Sequence, residues 1–526
     1  MSDHRIWDCP VTLSPKEKLI CKRLKSNGKL FVFLREQRHR IFDDAITEKL
    51  FSLYADHPRG KPPIPPAQLA MATLLQAYQQ KSDASATLDA MFDARWQMVL
   101  NCLGTDEPPF SQGVLCDFRH RLVKANLDEV LLEQTVKVAR EFGGFGHAQL
   151  RIALDSAPLQ GHGRVEDTFN LVAHVMELVV DCAAKIKQVD KESLLADGQI
   201  KLLGKSSIKA ALDIDWSEPA EKSEAINTLM SDVNQLQRWL DGQGELFKTH
   251  KELKESLSLL ETVLSQNIEP DPDGDGGSRI KQGVSADRRI SISDSEMRHG
   301  RKSKSRTING YKQHIAIDLD TKLILATSVR PANEPEHKTS EHLKPKITPY
   351  GEVIELSIDR GYLAADWTNE LFENGQTVIA KPWTSVAKKE FTKKAFAIDL
   401  EKGVVTCPEG ERANLKNIQK GKKKTARFNT DTCKRCPSQS RCTDSKRGHS
   451  LTLNGNEKMM QHLRYYVETP QGRADARERV KVEHSLASIC NRKGHKARYA
   501  GVRLNEFDLN RTAMITNLHL SMNLAA

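Results

Sequence analysis

Long apolar runs are the first thing this 526-residue chain lacks: no stretch approaches the ~18–20 uninterrupted apolar residues of a membrane-spanning helix. The opening MSDHRIWDCP has neither a basic nor an apolar segment, so no secretory leader is expected. There is no internal repeat and no long low-complexity tract. A phosphate-cradling P-loop and a dinucleotide fingerprint are also missing, as is a defensible Ser/His/Asp order, so ATP and nicotinamide cofactors are not expected. Six of the ten cysteines are scattered singly, which suits a reducing compartment and excludes a disulfide scaffold. What remains is a soluble intracellular protein, 39% hydrophobic, long enough for roughly two to four domains.

Charge is unevenly placed. Lys and Arg number 79 against 69 Asp and Glu, a net of +10. Residues 166–275 hold 11 basic and 22 acidic residues, whereas residues 385–450 hold 17 basic and 7 acidic ones. A basic body with one acidic insert suits a polyanion partner, most simply nucleic acid, or else an ordinary solvated surface.

Hydrophobic periodicity divides the chain. Residues 1–30 read as polar and irregular. Residues 31–145 read as a helical N-terminal domain for DNA binding or for protein packing alone, with Pro66 placed to start a helix. RIALD predicts a short strand ending at Asp155. Residues 166–286 form an acidic helical insertion closed by the linker-like EPDPDGDGGS. GYKQHIAIDLD and KLILATSVRP predict a hairpin turning at Asp320–Lys322, and VIELSID predicts a strand ending at Asp359. Residues 385–471 are basic and cysteine-bearing, and the C-terminal stretch is helical again.

Three carboxylates stand out. Asp155 and Asp359 are placed at strand ends, and Glu483 lies on a helix whose Val482, Leu486 and Ile489 make an apolar stripe, with Arg479 one turn earlier on the same face. Two strand-end carboxylates approached by a third from a packed helix could hold two hard divalent cations, Mg²⁺ or Mn²⁺, and so support phosphoryl transfer. The four clustered cysteines, Cys407, Cys433, Cys436 and Cys442, contain one CxxC pair. They could bind structural Zn²⁺ tetrahedrally or simply be small buried residues. Two basic groups, Arg301, Lys302, Lys304 and Arg306, and Lys422, Lys423, Lys424 and Arg427, are candidates for DNA-phosphate contact or for a solvated face.

The segments ALDSAPLQGHGRVEDTFNL, SIDRGY and RVKVEH, with the intervening GRKSKSRTINGYKQHIAID and the cysteine-bearing FAIDLEKGVVTCPEG and CKRCPSQSRC, together resemble a DDE transposase of a bacterial insertion sequence. The resemblance runs from about residue 30 to 525. It implies an α/β fold: a ribonuclease-H-like core built from 150–165, 287–384 and 472–526, interrupted by the acidic and the cysteine-containing insertions. It also implies that Asp155, Asp359 and Glu483 are catalytic metal ligands, and that Gly361 and Tyr362 are the Gly-Tyr that commonly follows the second Asp. Arg479 then fits a Tyr-Arg-Glu-Lys pattern on the last helix as a DNA contact. Ala476 and Cys490 depart from that pattern at the Tyr and Lys positions, leaving Arg492, Lys493 and Lys496 as substitutes. The implied activity is Mg²⁺-dependent cleavage at element ends and 3′-end strand transfer, with terminal inverted repeats and target DNA as partners. A homodimer on DNA and a place on the bacterial nucleoid in the cytoplasm follow from the same resemblance. A catalytically silent DNA-binding descendant and a structure-selective nuclease are the alternatives.

Overall fold

The computed structural model describes residues 7, 10–24, 28–54, 63–144, 149–272, 277–283, 285, 287–302, 306–383, 389–417 and 423–525. Its strands are β1 (Gln149–Gln160), β2 (Ile268–Pro270), β3 (Ser278–Ile280), β4 (Arg298–Arg301), β5 (Thr307–Asp318), β6 (Ile324–Pro331), β7 (Glu352–Ser357), β8 (Thr377–Ile379), β9 (Ala397–Asp399), β10 (Val404–Thr406), β11 (Arg412–Asn417), β12 (Lys424–Arg427) and β13 (Ser450–Leu453).

The central sheet runs β6-β5-β1-β7-β8, with β4 also pairing β5. Its first three strands are antiparallel neighbours, and β1-β7 and β7-β8 are parallel. Helices cover both faces, which makes this a ribonuclease-H-like α/β core. The burial of β1 shows the two faces. Leu150, Ile152 and Leu154 join a cluster with the helices Glu336–Ile347, Asp366–Glu373 and Glu457–Tyr466. Ala153 and Leu159 join a second cluster that includes Val482, Leu486 and Ile489. Successive side chains of a strand alternate between faces, so Asp155 shares the face on which the helix Val480–Lys493 packs.

That second cluster also contains the N-terminal helices. Leu34, Leu75, Trp96, Phe118 and Leu131 pack in one continuous core with Tyr311, Ile315, Phe507 and Met514. The final helix, Val502–Ala525, lies between the helices Leu127–Gly143 and Pro66–Gln79 and strand β6. Its buried polar residues are matched to partners. Asn517 bonds both backbone groups of Ile324, each at 2.9 Å, and Asn510 accepts from Thr327 and donates to Asp128.

Several expectations change. Residues 1–30 contain a helix, Pro15–Arg23, because Ser14 and Glu17 form a capping box around a Pro at its first turn. The strand that RIALD predicts extends well past Asp155, because β5 pairs β1 from Ile152 to Gln160. The linker-like EPDPDGDGGS lies between the strands of a β2–β3 hairpin, with residues 273–276 outside the described ones. The acidic helices between Thr168 and Asn267 surround a core of their own that includes Val172, Met176, Leu229, Leu236 and Leu260. The cysteine-bearing section is a five-stranded sheet, β13-β12-β11-β10-β9, around Phe396, Val405, Phe428 and Leu453. Among the described residues no helix is long and apolar enough to cross a membrane.

Candidate active site

Register brings the two aspartates together. The last pair between β1 and β7 is Ala153↔Ser357. Asp155 and Asp359 each follow it by two residues, so both sit at the same level, just where the parallel pairing opens. Asp155 Oδ1 accepts the Ser156 N–H at 2.9 Å, and Asp359 Oδ1 accepts the Arg360 N–H at 2.8 Å. The expectation that Asp359 lies at the end of a strand and Glu483 on a packed helix matches this geometry. Asp155 instead lies mid-strand, at the end of only one of its two pairings.

Glu483 arrives on the helix Val480–Lys493, held down by Val482, Leu486 and Ile489. Arg479, the single residue separating this helix from Pro470–Glu478, bridges two of the acids. Its Nη2 lies 3.2 Å from Asp155 Oδ1 and its Nη1 2.9 Å from Glu483 Oε1. Burial pushes the Asp155 carboxyl above its usual range, against the opposing pull of Arg479, and the Glu483 charge adds to the rise. Asp155, Asp359 and Glu483 line one cleft of about 740 Å³ with Arg301, Lys302, Lys312, Glu336 and His495.

Of the basic candidates, Arg301 and Lys302 therefore reach the cleft, Arg306 is exposed beside them, and Lys304 lies outside the described residues. Lys423, Lys424 and Arg427 are exposed on the second sheet, away from this cleft, and Lys422 lies outside the described residues. The suggested substitutes divide. Lys493 is buried against Asp508 at 3.4 Å, Arg492 sits over the Tyr78 ring, and only Lys496 is exposed. Cys490, at the pattern's Lys position, is buried and accepts from Gln313. Sequence reasoning passed over Lys312, Ser156 and Glu336 as cleft residues, because what brings them to the cleft is pairing and packing between distant segments. His314, a buried ring, bonds the Tyr362 hydroxyl at 2.7 Å, which gives the tyrosine of the Gly-Tyr dipeptide a physical basis.

Among the described residues no group of three or more His, Cys, Asp or Glu side chains is already drawn together tightly enough to hold a metal ion. The cleft nevertheless fits a hard cation. Its donors are carboxylate oxygens, and a buried acid there already recruits a positive charge, the Arg479 guanidinium. The four cysteines converge on a second cavity, of about 470 Å³, with Phe391, Phe396 and Phe428. Burial, and then the nearness of Cys433, Cys407 and Cys436, pushes the Cys442 thiol up.

Fold and cleft thus define a ribonuclease-H-like protein with an acidic, base-rimmed groove. Residues 406–520 match the family described as Transposase DDE domain, and residues 22–121 match the Transposase domain (DUF772). The two matches indicate a DDE transposase of the insertion-sequence type. No curated protein and no solved structure matches it. The first match spans Glu483 and the four clustered cysteines, and begins beyond both aspartates. A DDE transposase domain supports a DNA-processing enzyme in general, and such domains generally use divalent metal ions.

Proposed function

We propose that the protein cuts double-stranded DNA at the terminal inverted repeats of its element and joins the freed 3′-ends to target DNA, with Asp155, Asp359 and Glu483 as the ligands of two Mg²⁺ ions. The observation that carries this is the register of β1 and β7, which sets the two aspartates side by side in a cleft that Glu483 completes. Divalent cations bound there supply activation of the attacking oxygen and stabilisation of the leaving one. The chain's own part is positioning. Arg301, Lys302 and Lys312 along the cleft wall hold phosphates in line for attack, first by water and then by the 3′-hydroxyl. Arg479 is free to turn from the carboxylates to a DNA phosphate once cations neutralise them. No covalent protein–DNA intermediate is required.

Lys423, Lys424 and Arg427 extend the DNA contact over the second sheet. Replacing all three by Ala lowers the salt dependence of binding, the slope of log K against log[salt], by about 2–3. The four thiols hold a structural Zn²⁺, which would offset the burial and thiol crowding that raise Cys442. Metal analysis of purified protein, and its loss in Cys436→Ala, tests this. The DNA complex contains a homodimer, with the acidic helical insertion turned away from DNA, and forms in the cytoplasm on the nucleoid.

The direct test is cleavage of labelled DNA carrying the element's ends, with Mg²⁺, by wild type and by Asp359→Ala. Nicking and joining lost in the variant while binding persists supports the reading. Cutting without joining would make the protein a nuclease, and tight binding with no cutting by either protein would make it a silent DNA-binding descendant.

A further inference from the structure

The cleft holds a fourth carboxylate. Glu336 opens the helix Glu336–Ile347 and lines the groove with Asp155, Asp359 and Glu483. Two contacts seat it, one from each aspartate-bearing segment. Its Oε1 accepts from the Ser156 hydroxyl at 2.6 Å, and Ser156 is the residue whose N–H bonds Asp155. Its Oε2 lies where a side chain at position 361 would begin: a Cβ built on Gly361 would stand 1.8 Å from that oxygen. Any residue other than glycine two places after Asp359 would therefore expel the Glu336 carboxylate or shift the turn.

The carboxylates of the cleft are unevenly paired. Asp155 and Glu483 share Arg479. Among the described residues, Asp359 and Glu336 have no Lys, Arg or His partner within 4.0 Å. Glu336 is held by a neutral hydroxyl and by the space that Gly361 leaves, so among the described residues its carboxylate lines the groove without a direct ion pair. A carboxylate fixed in this way raises the attraction of the groove for a divalent cation without needing to move.

We propose that Glu336 is a positioning residue of the cation pocket: it clamps the two aspartate-bearing segments and contributes a fourth negative charge that retains the metal. This rests on the reading of the cleft as a metal site. It also explains the glycine of the Asp-Arg-Gly-Tyr turn as the seat of that carboxylate.

The test is Mn²⁺ binding to the full-length protein, followed by electron paramagnetic resonance of free Mn²⁺, with thermal melting in parallel. Glu336→Gln keeps the size of the side chain and an oxygen for the Ser156 hydroxyl, and removes only the charge. The expected result is an unchanged melting temperature and Mn²⁺ binding weakened about tenfold, in the range found for residues that support metal ligands. DNA cleavage by the variant then recovers at raised Mn²⁺. Wild-type Mn²⁺ affinity in Glu336→Gln, with Asp359→Ala having lost binding, overturns the role of Glu336 and leaves the metal site standing. Equal Mn²⁺ binding by wild type and Asp359→Ala overturns the metal-site reading itself, and Glu336 with it.

Discussion

The two ends of the helix Val480–Lys493 carry the same chemistry in opposite settings. At the first turn Arg479 joins Glu483 and Asp155 at the rim of a groove, and the Glu483 side chain is 49% exposed. At the last turn Lys493 meets Asp508, which also binds Arg511 at 2.7 Å, and all three side chains are at most 2% exposed. Burial alone would push the Asp508 carboxyl up, but the Lys493 and Arg511 charges outweigh it and hold the acid below its usual range. Arg511 continues to Gln76 and Thr73 of the N-terminal helices. One end of the helix is thus locked into the joint between the helical domain and the core. The other presents charges that a cation or a phosphate can rearrange. A buried pair broken on one side leaves an uncompensated charge, whereas an exposed pair exchanges partners at little cost.

The sharpest test of that difference is Glu483→Gln, which abolishes DNA cleavage while unfolding free energy stays within about 0.5 kcal/mol, the worth of an exposed i,i+4 pair. Cleavage assays and urea denaturation on the same preparation check both halves. Asp508→Ala does the reverse at the other end. Stranding Lys493 and Arg511 in the core lowers the unfolding free energy by about 3–5 kcal/mol, and a loss under about 1 kcal/mol in urea denaturation would break the comparison.

His314 sits between the two extremes, buried behind the cleft. Burial lowers its pKa from 6.5 to about 3, and the charges of Lys312 and Arg330 add to the shift. The unfolded chain therefore takes up a proton that the folded one refuses, so this ring's contribution is complete above pH 6.5 and is lost as pH falls towards about 3. The urea midpoint of wild type should fall more between pH 7 and pH 5 than that of His314→Gln. A small change in stability is also expected for Arg479→Ala, less than about 1 kcal/mol because the bridge is partly solvated. Its effect should appear instead in DNA affinity and its salt dependence, measured by fluorescence anisotropy.

Much of the core was legible because its signals are local. The alternation of VIELSID marks β7, and the hairpin of β5 and β6 turns near residues 320–322 as its polar break suggests, with Lys322 at φ +63°. The apolar stripe Val482, Leu486 and Ile489 sets the face on which Glu483 stands. The second sheet was not legible: its strands are mostly three or four residues long, too short for a period to show. Glu336 was missed for a different reason. Nothing in its own neighbourhood distinguishes it from other acids at helix starts, and its role depends on Ser156 and Gly361, which lie far away in the chain.

By itself the sequence pointed to the class of protein and singled out three acids, Asp155, Asp359 and Glu483, as candidates. Patterning and spacing are local properties that survive without coordinates. Only the tertiary structure decided that Asp155 and Asp359 end level with one another, since that follows from pairing between β1 and β7 across 204 positions of chain. It alone decided that Lys493 faces the interior while Glu483 faces the groove, and that a glutamate 180 residues from Ser156 shares the same pocket. These outcomes depend on where distant segments pack, and burial and long-range pairing choose among arrangements that local preference leaves equal.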